Sequence, residues 1–501
     1  MTNASIQRAG IALLIGLSLF FRFYNLEEKL LWHDELATRV FAAGYTVDEW
    51  HEALFTGEIF DVSEVTKYQH HNPQRSVMAA IRGLAEDDPQ HPPLYYVLTR
   101  VWVSVFGDSI ATLRALSVLF SLLGFPAIFW LACEMFDDKR TAWMSVLLYG
   151  VSPFFILYAQ EAREYALWAV LILVSNASLL MAIKKGTARS WALYSLITVV
   201  SLYTSFTTAS VIITQLIYLV VRERLRPTEV AKKSFVALAV SAICFVPWVI
   251  TLLDHWDAFQ VSMKWSKIIN IPNSALLRIL GHNFSRTIVD FWVEIVDPMG
   301  WAVMLAACAV IAVASAHSAR KHLLLALAIA VPIGMLLIPD LAFGGIRSIS
   351  MRYLTPSWLA VLLALAHWMS TQRVAAVVVL AVCTISSATN APKIAVWTKA
   401  TSFHLPEVAD IVNAASEPLV VGNMERHNPG NLMALSARLK PGTKMQFLDT
   451  KAEEHYVLPR QFGTVFLYSP IGDYRKAMEQ REGVTSEILI EDHFLDLWRI
   501  Q

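Results

Sequence analysis

Apolar and polar positions along this chain alternate in long blocks rather than with a short period. Apolar runs occupy 9–26, 111–135, 141–159, 165–183, 190–205, 206–221, 234–253, 299–317, 322–339, 351–370 and 374–390. Many of them reach the ~20 residues a helix needs to cross hydrocarbon, so the pattern predicts about eleven transmembrane helices. Leu94–Phe106 is apolar too, but short, and Arg100 sits at its middle. An arginine at mid-bilayer is costly, so this segment is predicted to lie on the outer surface as an interfacial helix. Tyr95, Tyr96, Trp102 and Phe106 suit that depth. Short helices at 35–44, 47–56 and 74–85 are predicted over the same face.

Beyond about residue 391 the pattern shortens. A helix at 404–416, the apolar run Leu419–Val421, a helix at 430–439, strands at 444–448 and 464–468, a helix at 471–481 and a strand at 486–496 follow in turn. Alternating short strands and helices predict a small α/β domain, with no G-x-G-x-x-G to suggest a dinucleotide. The predicted architecture is an all-α polytopic membrane domain over 1–390, with outer segments 27–110 and 254–298, and an extracytoplasmic α/β domain over 391–501.

Composition agrees. Of 501 residues, 55% are hydrophobic and 16% charged, which excludes an ordinary soluble protein. The net charge is zero and no basic block is suited to nucleic acid. The four cysteines lie in apolar runs, as small core residues do, and suggest neither a disulfide framework nor a metal site. Arg8 precedes the first run without a small-residue cleavage site, which reads as an uncleaved span. The short connections carry Lys139-Arg140, Lys184-Lys185 with Arg189, Arg222 to Lys233, Arg320-Lys321 and Arg373. Cationic short loops belong in the cytoplasm. That sets the N-terminus inside, the C-terminus outside, and the remaining loops on the outer face of a plasma (inner) membrane.

The unusual polar groups fall in those outward segments. Trp32-His33-Asp34-Glu35 follows the first span. Adjacent acids cannot share a helix face, so one can enter a site while the other caps or braces the backbone. In Glu86-Asp87-Asp88-Pro89-Gln90-His91-Pro92-Pro93, the prolines fix the chain and start a helix, holding Asp88 and His91 at the surface. Tyr158-Ala159-Gln160-Glu161-Ala162-Arg163-Glu164-Tyr165 sets four polar groups between two spans with almost no loop. Arg347, Arg352 and Tyr353 start a later span, and Arg114 starts an earlier one, where an arginine also serves simply to snorkel. His282 and Arg286 carry no signal beyond their position. Together, acids and cations at one membrane surface with a histidine between them suit an anionic headgroup and the deprotonation of a hydroxyl.

At these residues the chain resembles the GT-C membrane glycosyltransferases of the protein O-mannosyltransferase and aminoarabinose transferase type. The resemblance is carried by Asp34-Glu35, by His91-Pro92-Pro93-Leu94-Tyr95-Tyr96, and by Phe106-Gly107-Asp108-Ser109 leading to Arg114-Ala115-Leu116-Ser117. Gln160-Glu161-Ala162-Arg163-Glu164-Tyr165 and Arg352-Tyr353-Leu354 complete it. It implies transfer of a sugar from a polyprenyl-phosphate carrier to an acceptor on the outer side, usually with inversion. Asp34 would be the general base and Glu35 its supporting acid. Asp88, His91, Tyr95, Arg114, Gln160, Arg163, Tyr165, Arg352 and Tyr353 would bind substrate, with Arg163, Arg352 and His91 toward the phosphate. Two departures stand out: Ser205 occupies a turn that often carries a histidine, and His91 replaces the lysine of the aminoarabinose branch. No cofactor is required for a monophosphate leaving group, although Asp34 and Asp88 also suit a divalent cation. The acceptor (glycan, lipid or protein) is not legible. A transporter would place its charges at mid-span and show repeats, and a scaffold would tolerate loss of Asp34. These remain the competing classes.

Overall fold

The computed structural model describes residues 3–268, 271–291, 298–319, 322–425, 427–449 and 457–501. Arg320-Lys321 and positions 292–297 of the predicted outer segment 254–298 lie outside the described residues. The chain forms two compact units, Met1–Leu26 with Asp88–Tyr95 and Arg114–Pro392, and Glu27–Asp87 with Tyr96–Leu113 and Lys393–Gln501.

The first unit is helical. Among the described residues, six helices are long and apolar enough to cross a membrane: Ile110–Phe136, Tyr165–Lys185, Glu229–Asp254, Met299–Ala319, Leu323–Phe343 and Arg373–Asn390. Lys139–Val151 and Pro153–Ala159, bent by 60°, form a seventh if counted as one span. The other anticipated spans are helices as well, Asn3–Phe23, Ala188–Thr204, Thr208–Glu223 and Thr355–Met369. By length and hydropathy six of the eleven expected spans pass this test among the described residues, or seven with the bent pair. Three of the others are short for a local reason. The turn at Ser205–Thr207 trims two neighbouring helices to 17 and 16 residues, and Met351–Leu354 winds as 3₁₀ before a helix of 15.

The bend at Ser152 shows how such a break is sustained. Pro153 has no N–H to continue the ladder, and the last four carbonyls of Lys139–Val151 need other donors. Leu148 O accepts from Ser152 N at 2.9 Å. Tyr149 O and Gly150 O accept from Arg22 Nη2 and Nη1 at 3.1 and 2.7 Å. Val151 O accepts from Ser387 Oγ at 2.8 Å. Arg22, fully buried, also donates from Nε to Ser121 Oγ at 2.9 Å.

The second unit holds a six-stranded sheet in the order β1-β3-β2-β4-β6-β5, with β1 Ile59–Asp61, β2 Pro418–Asn423, β3 Lys444–Leu448, β4 Thr464–Tyr468, β5 Ser486–Glu491 and β6 Asp496–Ile500. Strand β2 is parallel to β3 and β4, and the outer pairings are antiparallel. Alternate residues face opposite ways, so Val420, Met445 and Phe466 enter one core while Leu419, Val421 and Leu467 enter another. The strand anticipated over 486–496 is a hairpin. Asp492 turns the chain by accepting from Phe494 N at 3.1 Å and donating its own N–H to Leu495 O at 3.0 Å. Strand β1 comes from the first loop, whose helices His33–Ala43, Val47–Leu54 and Val77–Asp87 also belong to this unit.

Arg100 on Leu94–Phe106 is buried in the second unit. It donates to Ala42 O at 2.7 Å, to Asn72 O at 3.0 Å and to Arg75 O. These carbonyls are what a mid-bilayer position would have denied it. Ala42 precedes Gly44, whose φ of 95° ends its helix and whose missing Cβ would stand 2.8 Å from that of Arg75.

Candidate functional site

Within the first unit, the two proline-bounded and turn-bounded motifs meet. His91 is set by a turn in which its N–H donates to Asp88 O at 3.0 Å, and Trp248 Nε1 holds Pro89 O at 3.2 Å. Arg163 and Glu164 come from the tight turn before Tyr165–Lys185, closed by Arg163 N donating to Glu161 O at 2.8 Å. Arg163 Nη2 stands 3.0 Å from His91 Nε2, and His91 Nδ1 stands 3.2 Å from Glu164 Oε1. A guanidinium can only donate. Nε2 faces the guanidinium and Nδ1 faces the carboxylate, so the His91 ring bridges Arg163 and Glu164. Asp88 Oδ2, at 3.6 Å from Nε2, is beyond hydrogen-bond reach.

Arg163 and Glu164 are both almost fully buried, with Arg163 Nε 3.3 Å from Glu164 Oε2. Burial alone would raise the Glu164 carboxyl, but the Arg163 guanidinium and the His91 hydrogen bond outweigh it and hold it at about 2. Tyr165 connects this cluster to the last motif. The Arg163 and Arg352 guanidinium carbons each lie 5.9 Å from its ring centroid, and Arg352 lies 5.3 Å from that of Tyr353. The buried Tyr165 hydroxyl takes no hydrogen bond among the described residues. His91, Arg163, Tyr165, Arg352 and Tyr353 are thereby brought together, along with Glu164.

Of three other candidates, two hold backbone carbonyls and one a serine hydroxyl. Arg114, fully buried, donates to Leu26 O at 2.6 Å. Gln160 Nε2 donates to Phe21 O and Tyr24 O at 2.8 and 2.7 Å. The Tyr95 hydroxyl is 2.8 Å from Ser117 Oγ, which in turn reaches Arg163 O at 3.4 Å. Arg347 likewise pairs with the buried Asp340 at 2.7 Å.

The adjacent acids belong to the second unit, at the start of His33–Ala43. Glu35, anticipated beside Asp34, is fully buried and pairs with Lys399 Nζ at 3.0 Å. One helix position turns a side chain by about 100°, so the two carboxylates diverge. Asp34 stays half-buried, its Oδ1 3.1 Å from His33 Nε2. His33 Nδ1 is in turn 3.1 Å from Thr401 Oγ1 and 3.3 Å from Ser402 Oγ, and its ring stacks on His427.

Residues 90–251 match the family described as dolichyl-phosphate-mannose-protein mannosyltransferase. Among solved structures, ArnT from Cupriavidus metallidurans bound to undecaprenyl phosphate is similar with a TM-score of 0.56, at 14% identity, over 98% of this chain and 98% of that one. The chain has the GT-C membrane glycosyltransferase fold. ArnT in its apo state gives 0.49 at 13% identity, over 99% of this chain and 98% of that one. An Archaeoglobus fulgidus oligosaccharyltransferase tethered to an acceptor peptide gives 0.47 at 12% identity, over 97% and 69%. No curated protein sequence matches the chain.

Two residues of these clusters were under-read in the sequence. Helical spacing groups Glu164 with Gln160 and Arg163, but nothing in it said that Glu164 would meet His91. His33 had only its place before Asp34. Its hydroxyl partners, Thr401 and Ser402, lie more than 360 positions away.

Proposed function

We propose that this GT-C glycosyltransferase moves a sugar from a polyprenyl-phosphate carrier to an acceptor hydroxyl on the non-cytoplasmic side, with inversion. The observation that carries the reading is the pair of guanidiniums, Arg163 and Arg352, set against one tyrosine ring. Such a pair suits a phosphate monoester, because each planar fork offers charge-assisted bonds. As the sugar C1–O bond breaks, the electron pair goes to the lipid phosphate, and the two cations stabilise that charge away from bulk water. The acceptor oxygen forms the new bond and gives its proton to a carboxylate, the role assigned to Asp34 with His33 holding its Oδ1. Asp88 and Tyr353 line the phosphate side, and Arg114, Gln160 and Tyr95 position the turns that carry it. The two guanidiniums supply charge toward a monophosphate leaving group, and Asp34 and Asp88 also suit a divalent cation. The polyprenyl and dolichyl phosphates named for similar proteins support the donor class.

The test is a membrane transfer assay with mass spectrometry of the co-purifying lipid. Arg163→Ala and Arg352→Ala are each expected to lose the bound polyprenyl phosphate. Asp34→Asn is expected to keep it while transfer falls by about 10²–10⁴. Full transfer by Asp34→Asn at normal protein level would remove Asp34 from the role of base, and absence of transfer by the wild-type chain would leave a transporter or scaffold as the better reading.

A further inference from the structure

The second unit carries a crevice that the transfer chemistry does not use. Strand β2 lies between β3 and β4 and is parallel to both. The chain leaves β2 for the helix Asn428–Ser436, whose Leu432 and Met433 pack with Val420 and Phe466. It leaves β4 for the helix Gly472–Glu482, whose Met478 packs on the opposite face with Leu419 and Val421. Two adjacent parallel strands thus send their exits to opposite faces. A crevice opens at their carboxyl ends, which is where open α/β sheets bind ligands. Its volume is about 450 Å³, within the range of small-molecule sites.

We propose that this crevice binds the hydroxyl groups of a non-anionic glycan. Glu425 and Asn428 line it from the β2 side, Ser469 from β4, and Asp492, Phe494 and Asp496 from the β5–β6 hairpin. Asn428 is only 4% exposed. Its Nδ2 donates to Asn423 Oδ1 at 2.6 Å and to Ser469 O at 3.3 Å. Its Oδ1 takes no partner among the described residues and is left to the crevice that Asn428 lines. A ligand that donates hydrogen bonds can satisfy this oxygen in place of water. Sugar hydroxyls do so, and carboxylates beside it accept from vicinal hydroxyls in pairs. Phe494, more than a third exposed with His493 edge-on to it at 4.9 Å, offers an apolar wall for the C–H face of a sugar ring. Among the described residues the lining includes three carboxylates and neither lysine nor arginine. A phosphate or carboxylate on the ligand would meet like charge at close range. If the transferase reading holds, the natural occupant is the glycan of the acceptor. Only that last step rests on it.

The experiment is a glycan array probed with the purified, labelled full chain in detergent, followed by titration of the glycans that bind. Phe494→Ala and Glu425→Gln alter exposed side chains outside both cores and serve as variants. Neutral glycans are expected to bind, with affinity falling at least ~10-fold in both variants, as loss of a stacking face or paired acceptor implies. Absence of glycan binding, equal binding by wild type and variants, preference for phosphorylated glycans, or saturable Ca²⁺ binding with no glycan bound would each overturn the proposal. None of these readouts needs donor turnover, so failure of the transferase reading would register separately, in the transfer assay.

Discussion

A carboxylate sealed beside a guanidinium responds to pH with a fixed sign, and Glu164 is such a group. Its pKa is depressed from 4.5 to about 2 in the folded chain. The stability it contributes is therefore fully present above the unfolded value and is lost as pH falls from about 4.5 through about 2, amounting to about 3 kcal/mol at most. The midpoint of thermal unfolding in detergent is expected to fall over that window in wild type and to be flatter in Glu164→Gln. Parallel curves would show that Glu164 does not act through the Arg163 pairing. At this scale the sequence was a good guide to which residues cluster and a poor one to what each does. Asp34 and Glu35 read as a pair because they are adjacent, yet helix geometry turns Glu35 into a core where Lys399 neutralises it. The family resemblance points to Arg114 and Gln160 as ligand contacts, and in the structure each also holds at least one backbone carbonyl, which the resemblance did not indicate.

Elements were legible where hydropathy runs were long and illegible where the run hid a break. The segment 141–159 is continuous in hydropathy, so nothing but Pro153 marked the 60° bend after Val151. The cost of that bend appears as four carbonyls, and Arg22, a residue the sequence had not singled out, satisfies two of them. Arg22→Met is expected to destabilise the chain by roughly 2–5 kcal/mol, since each buried acceptor left without a donor costs about 1–3 kcal/mol. Thermal unfolding in detergent measures it. Arg22→Lys should recover part of the loss, because a single ammonium reaches fewer carbonyls than the guanidinium fork. An unchanged midpoint in Arg22→Met would mean that the bend is held by packing alone. The β5–β6 hairpin was missed for a related reason: its turn contains neither glycine nor proline and depends on the Asp492 side chain.

At the scale of the whole molecule, the sequence separated membrane from sheet but assigned the first loop by proximity along the chain. The structure puts Glu27–Asp87 with Lys393–Gln501. Trp32, Leu36, Trp50, Leu54, Phe55 and Tyr68 share one core with Leu405, Val420, Leu432 and Phe447. Strand β1 pairs with β3 through Ile59–Gln446, Phe60–Met445 and Asp61–Lys444. A hydropathy pattern says that a face is apolar, never which distant face will cover it, so this pairing was invisible until the chain was folded. It implies that the loop does not fold without the C-terminal segment. A chain ending at Pro392 would leave those side chains without their partners and β1 as an unpaired edge, too small a structure to be stable alone. Limited trypsin digestion of membranes is therefore expected to cut the truncated chain at Lys67, Arg75 and Arg82 at least about tenfold faster than the full chain, while the helices of the first unit stay protected. Equal protection in both chains would mean that the loop is held by contacts other than the shared core.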